Sequence, residues 1–303
     1  MSNQSEPLNQ LSEIAAAFAT KAPKVVDYWS LRLVDQVSEG LAVRDGIAEP
    51  SGLALSRGAM ITVSDAAGIG YGATSDLSPA GLSAAFGHAL RFAALHQRLG
   101  LFDARQHPRS ALRAEYASTV AQPWTSWTLQ DKFAMLSDAC ARLDVDQRIV
   151  ERIAWLEHQR TTQLLTSSDG AEIAQNWDYV HCGLSATAAA NGQTQTRRGG
   201  GADQAQQGGL ERIETSALIA DAERVASEAI ALAEAPECPN GRRDLVLLPS
   251  QMTLQIHESI GHPVGARSHP GRRAQLCWTL FCHAGNVRYL SLWFFAAQRH
   301  VRS

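Results

Sequence analysis

Residues 147–192 carry the pattern that most constrains the fold, because short strand-like segments follow one another with turn residues between them. Such segments, bounded by Gly, Asp, Asn and Ser, are typical of β-strands joined as hairpins. The strands are predicted over Gln147–Leu156, Arg160–Thr166, Ala171–Trp177 and Tyr179–Ala190. The turns are predicted at Ser168-Asp169-Gly170 and Asn191-Gly192. This part of the chain therefore predicts an antiparallel sheet.

The remaining segments add helices and further strands. Ser78 is a suitable N-cap and Pro79 a suitable first residue for a helix that stops near Gly100. The other helices are predicted over Leu11–Thr20, through Phe133, Leu136, Cys140 and Leu143, and over Ser216–Ala235. The other strands are predicted over Tyr28–Val43, Ala59–Val63, Ile69–Ala73 and Arg242–Leu248.

Two glycine-rich segments lack the signature of a phosphate-binding loop. Gly68, Gly70 and Gly72 lie inside a predicted hairpin, without the strand-to-helix context that a phosphate site needs. The polar segment Arg197–Gly209 has no P-loop lysine followed by serine or threonine. We interpret the first set as structural and the second segment as a surface loop.

These elements predict an α+β chain with more than one domain, since 303 residues can bury more than one core. We expect a mixed sheet-and-helix domain over residues 1–105 and a second domain of antiparallel strands and helices over residues 128–240. Residues 106–127 would connect the two domains. Residues 241–263 would form a strand and a helix that open a third, C-terminal domain.

Composition excludes several classes of protein. The N-terminal segment has no basic region followed by an apolar one, and no stretch of eighteen apolar residues occurs, so we expect a cytoplasmic protein without a membrane span. The five cysteines form no CxxC pair, which argues against a disulfide framework or a zinc ribbon. A net charge of −3 gives no indication of a nucleic-acid partner.

The segment LQIHESIGHP places two histidines five residues apart with a glutamate beside the first. In an unbroken helix the two imidazoles would point about 140° apart, so they could not share a metal ion. Gly261 and Pro263 flank the second histidine, and both residues interrupt a helix. His262 could then turn back toward His257. Neutral imidazoles suit zinc, and Glu258 would be the general base acting on the attacking water.

The chain also resembles the TldD/PmbA peptidases, a family linked to modulation of DNA gyrase and to maturation of a peptide antibiotic. The resemblance covers most of the chain. It rests on the strand end at Gly70–Ala73, the helix start SDLSPAGLSAAF, the late alanine-rich helix and above all RRDLVLLPSQMTLQIHESIGHP.

The resemblance implies a Zn²⁺-dependent metallopeptidase. His257 and His262 match the family's zinc ligands and Glu258 matches its catalytic glutamate. The family takes a third ligand, a cysteine, from a C-terminal β-rich domain. Family members act as homodimers or as heterodimers with a related subunit, on unfolded or leader peptides. Composition, as described above, predicts no membrane and no nucleic-acid partner.

Residues 264–303 depart from the family pattern. They contain six arginines and no Asp, Glu or Lys, where the family continues with an acidic segment. With one permitted choice of codons for Gly265–Trp278, the neighbouring reading frame gives Glu-Leu-Asp-Arg-Ile-Leu-Gly-Asp-Glu-Arg-Asn-Tyr-Ala, which resembles the family segment. We therefore expect a C-terminally truncated chain, translated out of frame from about Val264. The possible third ligands in this tail, His269, Cys277, Cys282 and His283, would then be accidents of frame.

Three hypotheses follow for the chain as printed. It is a zinc metallopeptidase by descent, inactive or impaired because the third ligand and the C-terminal domain are missing. Alternatively, it is a non-catalytic subunit that binds a peptide or a partner. The third hypothesis is a non-functional gene fragment, whose apolar tail would expose adhesive surface.

The reading-frame hypothesis predicts a result for the gene itself. Sequencing across the codon for Pro263 should give, in a neighbouring frame, a peptide that resembles the family's acidic segment. Codons that yield no such peptide in either other frame would refute the frameshift, and residues 264–303 would then be native sequence.

Overall fold

A computed structural model of the protein describes residues 5–22, 26–100, 103, 105, 111–200, 205–213, 215–242, 244–247 and 249–257. The chain divides into two compact units, Met1–Glu237 and Cys238–Ser303. The first unit contains all the strands and four helices of the described residues, whereas the second contains one helix. Among the described residues, no helix is both long and apolar enough to cross a bilayer.

The described residues form an α+β fold, which confirms the predicted class. The helices are α1 (Ser5–Lys21), α2 (Pro79–Leu99), α3 (Leu129–Arg142), α4 (Thr215–Glu234) and α5 (Pro249–Ile256). The strands are β1 (Tyr28–Arg44), β2 (Ile47–Ala48), β3 (Gly52–Asp65), β4 (Gly68–Thr74), β5 (Arg113–Ala117), β6 (Ile149–Ser167), β7 (Glu172–Ala190), β8 (Gln193–Gly200) and β9 (Gln206–Gln207). Short 3₁₀ helices lie at Trp124–Ser126 and Leu210–Arg212.

One sheet joins the first two predicted domains. Its central order is β4-β3-β1-β6-β7-β5, and every pair in it is antiparallel except β5 with β7. β1 pairs with β6 from Ser30 opposite Ser167 to Arg44 opposite Ile153. The division into domains over residues 1–105 and 128–240 stays a prediction. The backbone hydrogen bonds between β1 and β6 join residues of both predicted domains.

The apolar core forms two clusters that share these long strands. The first cluster lies under α1 and α2 and takes Leu31 and Leu33 from β1. The second lies under α3 and α4 and takes Leu41 and Val43 from the same strand. Odd-numbered residues of β1 point to one face of the sheet, because side chains alternate along a strand. The four helices therefore cover one face of one sheet, in two groups.

The hairpin prediction for residues 147–192 needs one correction. The four predicted strands are two continuous strands of 19 residues each, β6 and β7. The sequence pattern breaks at His158 and Asp178 because these polar residues occupy inward positions, where apolar residues were expected. The turn at residues 168–170 and the turn at residues 191–192 lie where they were predicted.

Three other expectations differ from the structure. Gln193–Gly200 forms β8 against β7, so the start of the predicted surface loop Arg197–Gly209 is strand. Arg113–Ala117 in the predicted connection forms β5. The strand predicted over Arg242–Leu248 is not formed in its described residues, where Leu245 and Val246 are exposed.

Helix α2 confirms its predicted ends and explains the glycines of β4. The Ser78 hydroxyl accepts a hydrogen bond from the Gly81 amide at 3.2 Å, and Gly100 ends the helix with φ = 60°. A Cβ on Gly70 or Gly72 would overlap backbone atoms of α2, the carbonyl oxygen of Ala85 among them. These glycines are therefore structural, as interpreted, because they let the helix lie directly on the strand.

A polar band separates the two apolar clusters on the helix-covered face of the sheet. It consists of Asp35, Arg57, His158, Arg160, Thr162, Asn176 and Asp178. The buried Asp178 carboxylate accepts hydrogen bonds from the His158 ring and the Arg160 guanidinium, both at 3.0 Å. Burial acts to raise the pKa of Asp178, but these two partners outweigh it and hold the pKa below its ordinary value of 3.8.

Substitution of Gly72 should disrupt the contact between β4 and α2. We expect Gly72→Ala to lower the free energy of unfolding by about 1–3 kcal/mol, because the added methyl group meets the helix backbone, which cannot move freely. Gly52→Ala is the matched control, since nothing lies within 4 Å of a Cβ at that strand position. Urea unfolding of both variants measures the difference. Equal midpoints for the two variants would contradict the close packing.

Substitution of Asp178 should destabilise the chain in a pH-dependent way. At pH 7 we expect Asp178→Asn to lower the free energy of unfolding by about 1–3 kcal/mol, because the Arg160 guanidinium loses its buried carboxylate. A carboxylate with a lowered folded pKa contributes stability that is lost as the pH falls through that pKa. The deficit should therefore shrink below pH 3.8.

The control for this experiment is Asp138→Asn, since Asp138 forms an exposed ion pair with Arg142 at 3.7 Å. Exposed pairs contribute about 0–1 kcal/mol. Urea unfolding across a pH series should separate the two variants at pH 7. A deficit for Asp178→Asn that does not depend on pH would contradict the electrostatic origin.

Candidate metal centre and the acidic cavity

Only one of the three predicted metal-site residues lies among the described residues. His257 directly follows α5, in a wider, π-type turn, and its side chain is exposed. The predicted ligand His262 and the predicted base Glu258 lie outside the described residues. Their roles therefore stay predictions.

The chemistry of the three side chains fits zinc. Two neutral imidazoles are nitrogen donors that Zn²⁺ prefers, and a carboxylate next to a ligand is a suitable base. The description of this helix stops at His257, so the predicted break before the second histidine stays a prediction.

The described part of the chain holds no other grouping of three or more His, Cys, Asp or Glu side chains that could bind a metal ion. The two histidines of α2 are structural. His88 is exposed and contacts Phe92, with ring centroids 5.1 Å apart. His96 accepts a hydrogen bond from the Ile69 amide at 3.3 Å, which joins α2 to β4.

A second candidate site is a cavity of about 470 Å³ at the middle of the sheet, lined by residues of β1, β3, β6 and β7. We call it the acidic cavity. By strand register, its lining residues Glu157, Tyr179 and His181 point to the face opposite the helices, whereas Glu39, Leu53 and His158 point to the helix-covered face. No lysine or arginine occurs among its described lining residues.

On the helix-covered face, the indole of Trp124 contacts two of the lining residues, Glu39 and His158. Its Nε1 donates a hydrogen bond of 2.5 Å to the Glu39 carboxylate. The ring stacks on His158 with centroids 5.0 Å apart and an interplanar angle of 11°. The Lys132 ammonium lies 3.6 Å from the same ring. Burial lowers the pKa of Lys132, and the nearby Glu39 carboxylate opposes that effect.

The other side of the acidic cavity carries a carboxylate and an imidazole. The Nε2 of His181 lies 3.2 Å from the Glu157 carboxylate. The Nδ1 of His181 is buried and has no hydrogen-bond partner among the described residues. Glu157 remains more than half exposed, so its charge is available to a ligand.

The sequence analysis did not identify His158 and Asp178 as a polar pair, although their positions along the strands indicate one. When β6 and β7 are taken as continuous strands, His158 and Asp178 point to the same side of the sheet as buried residues such as Leu156 and Val180. Polar residues at such positions are costly unless they are paired. The position of both residues on the buried side of their strands therefore indicates a polar cluster.

Comparisons with known proteins agree on the family. The model of the PmbA/TldA metallopeptidase domain 1 matches residues 29–93, and the model of the PmbA/TldA metallopeptidase central domain matches residues 122–235. Together the two models cover more than half of the chain. No curated protein matches it.

Two solved structures share the fold. A proposed modulator of a DNA gyrase from Thermotoga maritima is 17% identical, with a TM-score of 0.55 over 76% of this chain and 50% of that one. A proposed modulator of DNA gyrase from Bacteroides thetaiotaomicron is 15% identical, with a TM-score of 0.57 over 72% of this chain and 49% of that one. The present chain thus spans about half the length of these structures.

The two domain matches fall on the two groups of elements that share the long sheet, and the structural matches extend over the same fold. The chain belongs to the TldD/PmbA family, whose domain models are described as metallopeptidase domains.

Proposed function

We propose that the protein is a zinc-dependent metallopeptidase of the TldD/PmbA type. The observation that carries the proposal is the His-Glu-x-x-x-His sequence at the end of α5, in a chain whose first two domains match models of a metallopeptidase. In this proposal His257 and His262 hold the metal and Glu258 is the catalytic base.

When bound, zinc supplies Lewis acidity, which polarises the scissile carbonyl and activates water. A carboxylate oxygen of Glu258 takes a proton from the attacking water and delivers it to the leaving amine nitrogen. The imidazoles of His257 and His262 must stay neutral to act as ligands, so metal binding should weaken in acid. The proposed third ligand is a cysteine of the C-terminal β-rich domain that the resemblance implies.

The proposed substrates are unfolded or leader peptides, and the proposed site of action is the cytoplasm. We also propose that the protein acts as a homodimer or as a heterodimer with a related subunit. Two imidazoles alone bind zinc weakly, so the proposed site needs its third, cysteine ligand. A non-catalytic, peptide-binding role is the second candidate.

Substitutions in the motif should separate metal binding from hydrolysis. In the protein translated through the neighbouring frame, Glu258→Gln should reduce peptide hydrolysis by about 10²–10⁴-fold, because the base is lost. Its zinc content should not change, because both imidazoles remain. His257→Ala should lose both zinc and hydrolysis. Metal analysis by mass spectrometry and a peptide-release assay measure the two properties.

The control for these variants is His88→Ala, which removes an exposed imidazole from α2 and should retain zinc and activity. Protein that carries no zinc and hydrolyses no peptide in any of these forms would refute the metallopeptidase proposal. Retained peptide binding in that case would favour the non-catalytic subunit.

A further inference from the structure

Among the four helices described in the first unit, α2 alone contains no acidic residue. The helices α1, α3 and α4 each contain two or more Asp or Glu residues. Helix α2 carries two arginines instead, Arg91 and Arg98. They lie seven residues apart, which is about two helical turns, so they project from the same side of the helix. That side of α2 is therefore positively charged.

The two arginines of α2 have no carboxylate partner among the described residues. On α4, by contrast, Arg224 pairs with Asp221 and Glu228, three and four residues away, both at 2.7 Å. The positions three and four residues from Arg91 hold glycine, histidine, alanine and leucine. Side chains at these spacings are the neighbours that a helix offers. A carboxylate for the two guanidinium groups can therefore come only from outside α2.

An exposed apolar stripe runs beside these arginines. It consists of Phe92, Leu95 and Leu99, which are 48%, 47% and 61% exposed, and His88 continues it, since its ring contacts Phe92. We call these four residues the α2 stripe. Their spacings of four, three and four residues are those of the a and d positions of a heptad repeat. Helix α2 packs on the sheet and on α1 through other residues, the buried Ala89 among them.

The heptad frame of the α2 stripe places Arg91 and Arg98 at the two g positions. The e positions on the other flank are Ala89 and His96, and both contact β4. Charged residues at the g and e positions of paired helices form ion pairs between the helices and select the partner. A helix that lies along the α2 stripe would therefore meet two guanidinium groups on its exposed flank.

We propose that the α2 stripe binds an acidic amphipathic helix of a partner protein. The apolar residues of that helix cover Phe92, Leu95 and Leu99, and its Asp or Glu side chains pair with Arg91 and Arg98. Burial of the apolar residues supplies the affinity, and the ion pairs select the charge of the partner. The inference does not depend on the metallopeptidase proposal, because all the residues that carry it belong to α2. Zinc content and peptide hydrolysis do not bear on it.

A second copy of the chain fits this surface less well than a separate partner. Pairing of α2 with the α2 of a copy would bring arginines together without a carboxylate. Helix α4 is acidic, but its apolar side lies in the core and three of its four acidic residues are already paired. Asp221 and Glu228 pair with Arg224. Glu234 pairs with Arg148.

The test measures the binding of two dye-labelled helical peptides to the 303-residue chain by fluorescence anisotropy at low salt. Both peptides carry leucine at the a and d positions of three heptads. Their e and g positions are glutamate in one peptide and lysine in the other. We expect the glutamate peptide to bind about tenfold more tightly, because two ion pairs replace two repulsions. The difference should shrink as salt is added, since salt screens exposed charges.

Two variants test the two halves of the site. Leu95→Asp should weaken binding of the glutamate peptide by about tenfold, because it removes an apolar contact and adds a repelling charge. Arg91→Glu combined with Arg98→Glu should invert the preference, so that the lysine peptide binds more tightly. The matched controls are Leu232→Asp, at a leucine 45% exposed on α4, and Arg142→Glu, at an exposed arginine of α3. Both controls should keep the wild-type preference, and circular dichroism should show every form folded.

A wild type that binds neither peptide, binds both equally or prefers the lysine peptide would overturn the inference. A double variant that keeps the wild-type preference would overturn it too. Light scattering that shows a wild-type dimer and a Leu95→Asp monomer would assign the α2 stripe to a second copy, against the inference. Binding to phosphatidylglycerol vesicles that both variants lose, without binding of the glutamate peptide, would assign the stripe to a membrane surface and also contradict it.

Discussion

The pairing of β1 with β6 is the constraint on which the rest of the first unit depends. Fifteen paired positions connect a strand of the predicted N-terminal domain to a strand of the predicted middle domain. Both strands contribute residues to both apolar clusters, Leu33 and Leu41 from β1 and Leu156 and Leu164 from β6. Neither cluster could keep its side chains in place if this ladder opened, so the two halves should unfold together.

The polar band has a physical cost that its hydrogen bonds offset. Burying the carboxylate of Asp178 and the ring of His158 away from water is unfavourable unless each finds a partner. The partners come from two adjacent strands in fixed register, since His158 lies on β6 and Asp178 on β7. A slip of the hairpin by one residue would turn these groups to the other face. The band therefore specifies the register of β6 and β7 more strictly than the apolar residues alone do.

The sequence predicted those features that depend on local chemistry. The N-cap Ser78, the end at Gly100, the turns at residues 168–170 and 191–192 and the α+β class all follow from neighbouring residues, and the structure confirms them. The length of β6 and β7 was missed, because it depends on the pairing between His158 and Asp178, which are twenty residues apart. β5 was missed for a similar reason, since Arg113–Ala117 is strand only because β7 offers it an edge. The acidic cavity takes its lining from four strands at once, β1, β3, β6 and β7, so no short sequence motif predicts it.

The two candidate sites differ in what they require of the chain. The metal motif is read from six consecutive residues, yet its chemistry needs a third ligand that those residues do not supply. The acidic cavity has no sequence motif, yet its lining residues are held in place by the register of four paired strands. The motif can therefore be read from the sequence alone, whereas the cavity can be read only from the register of the strands.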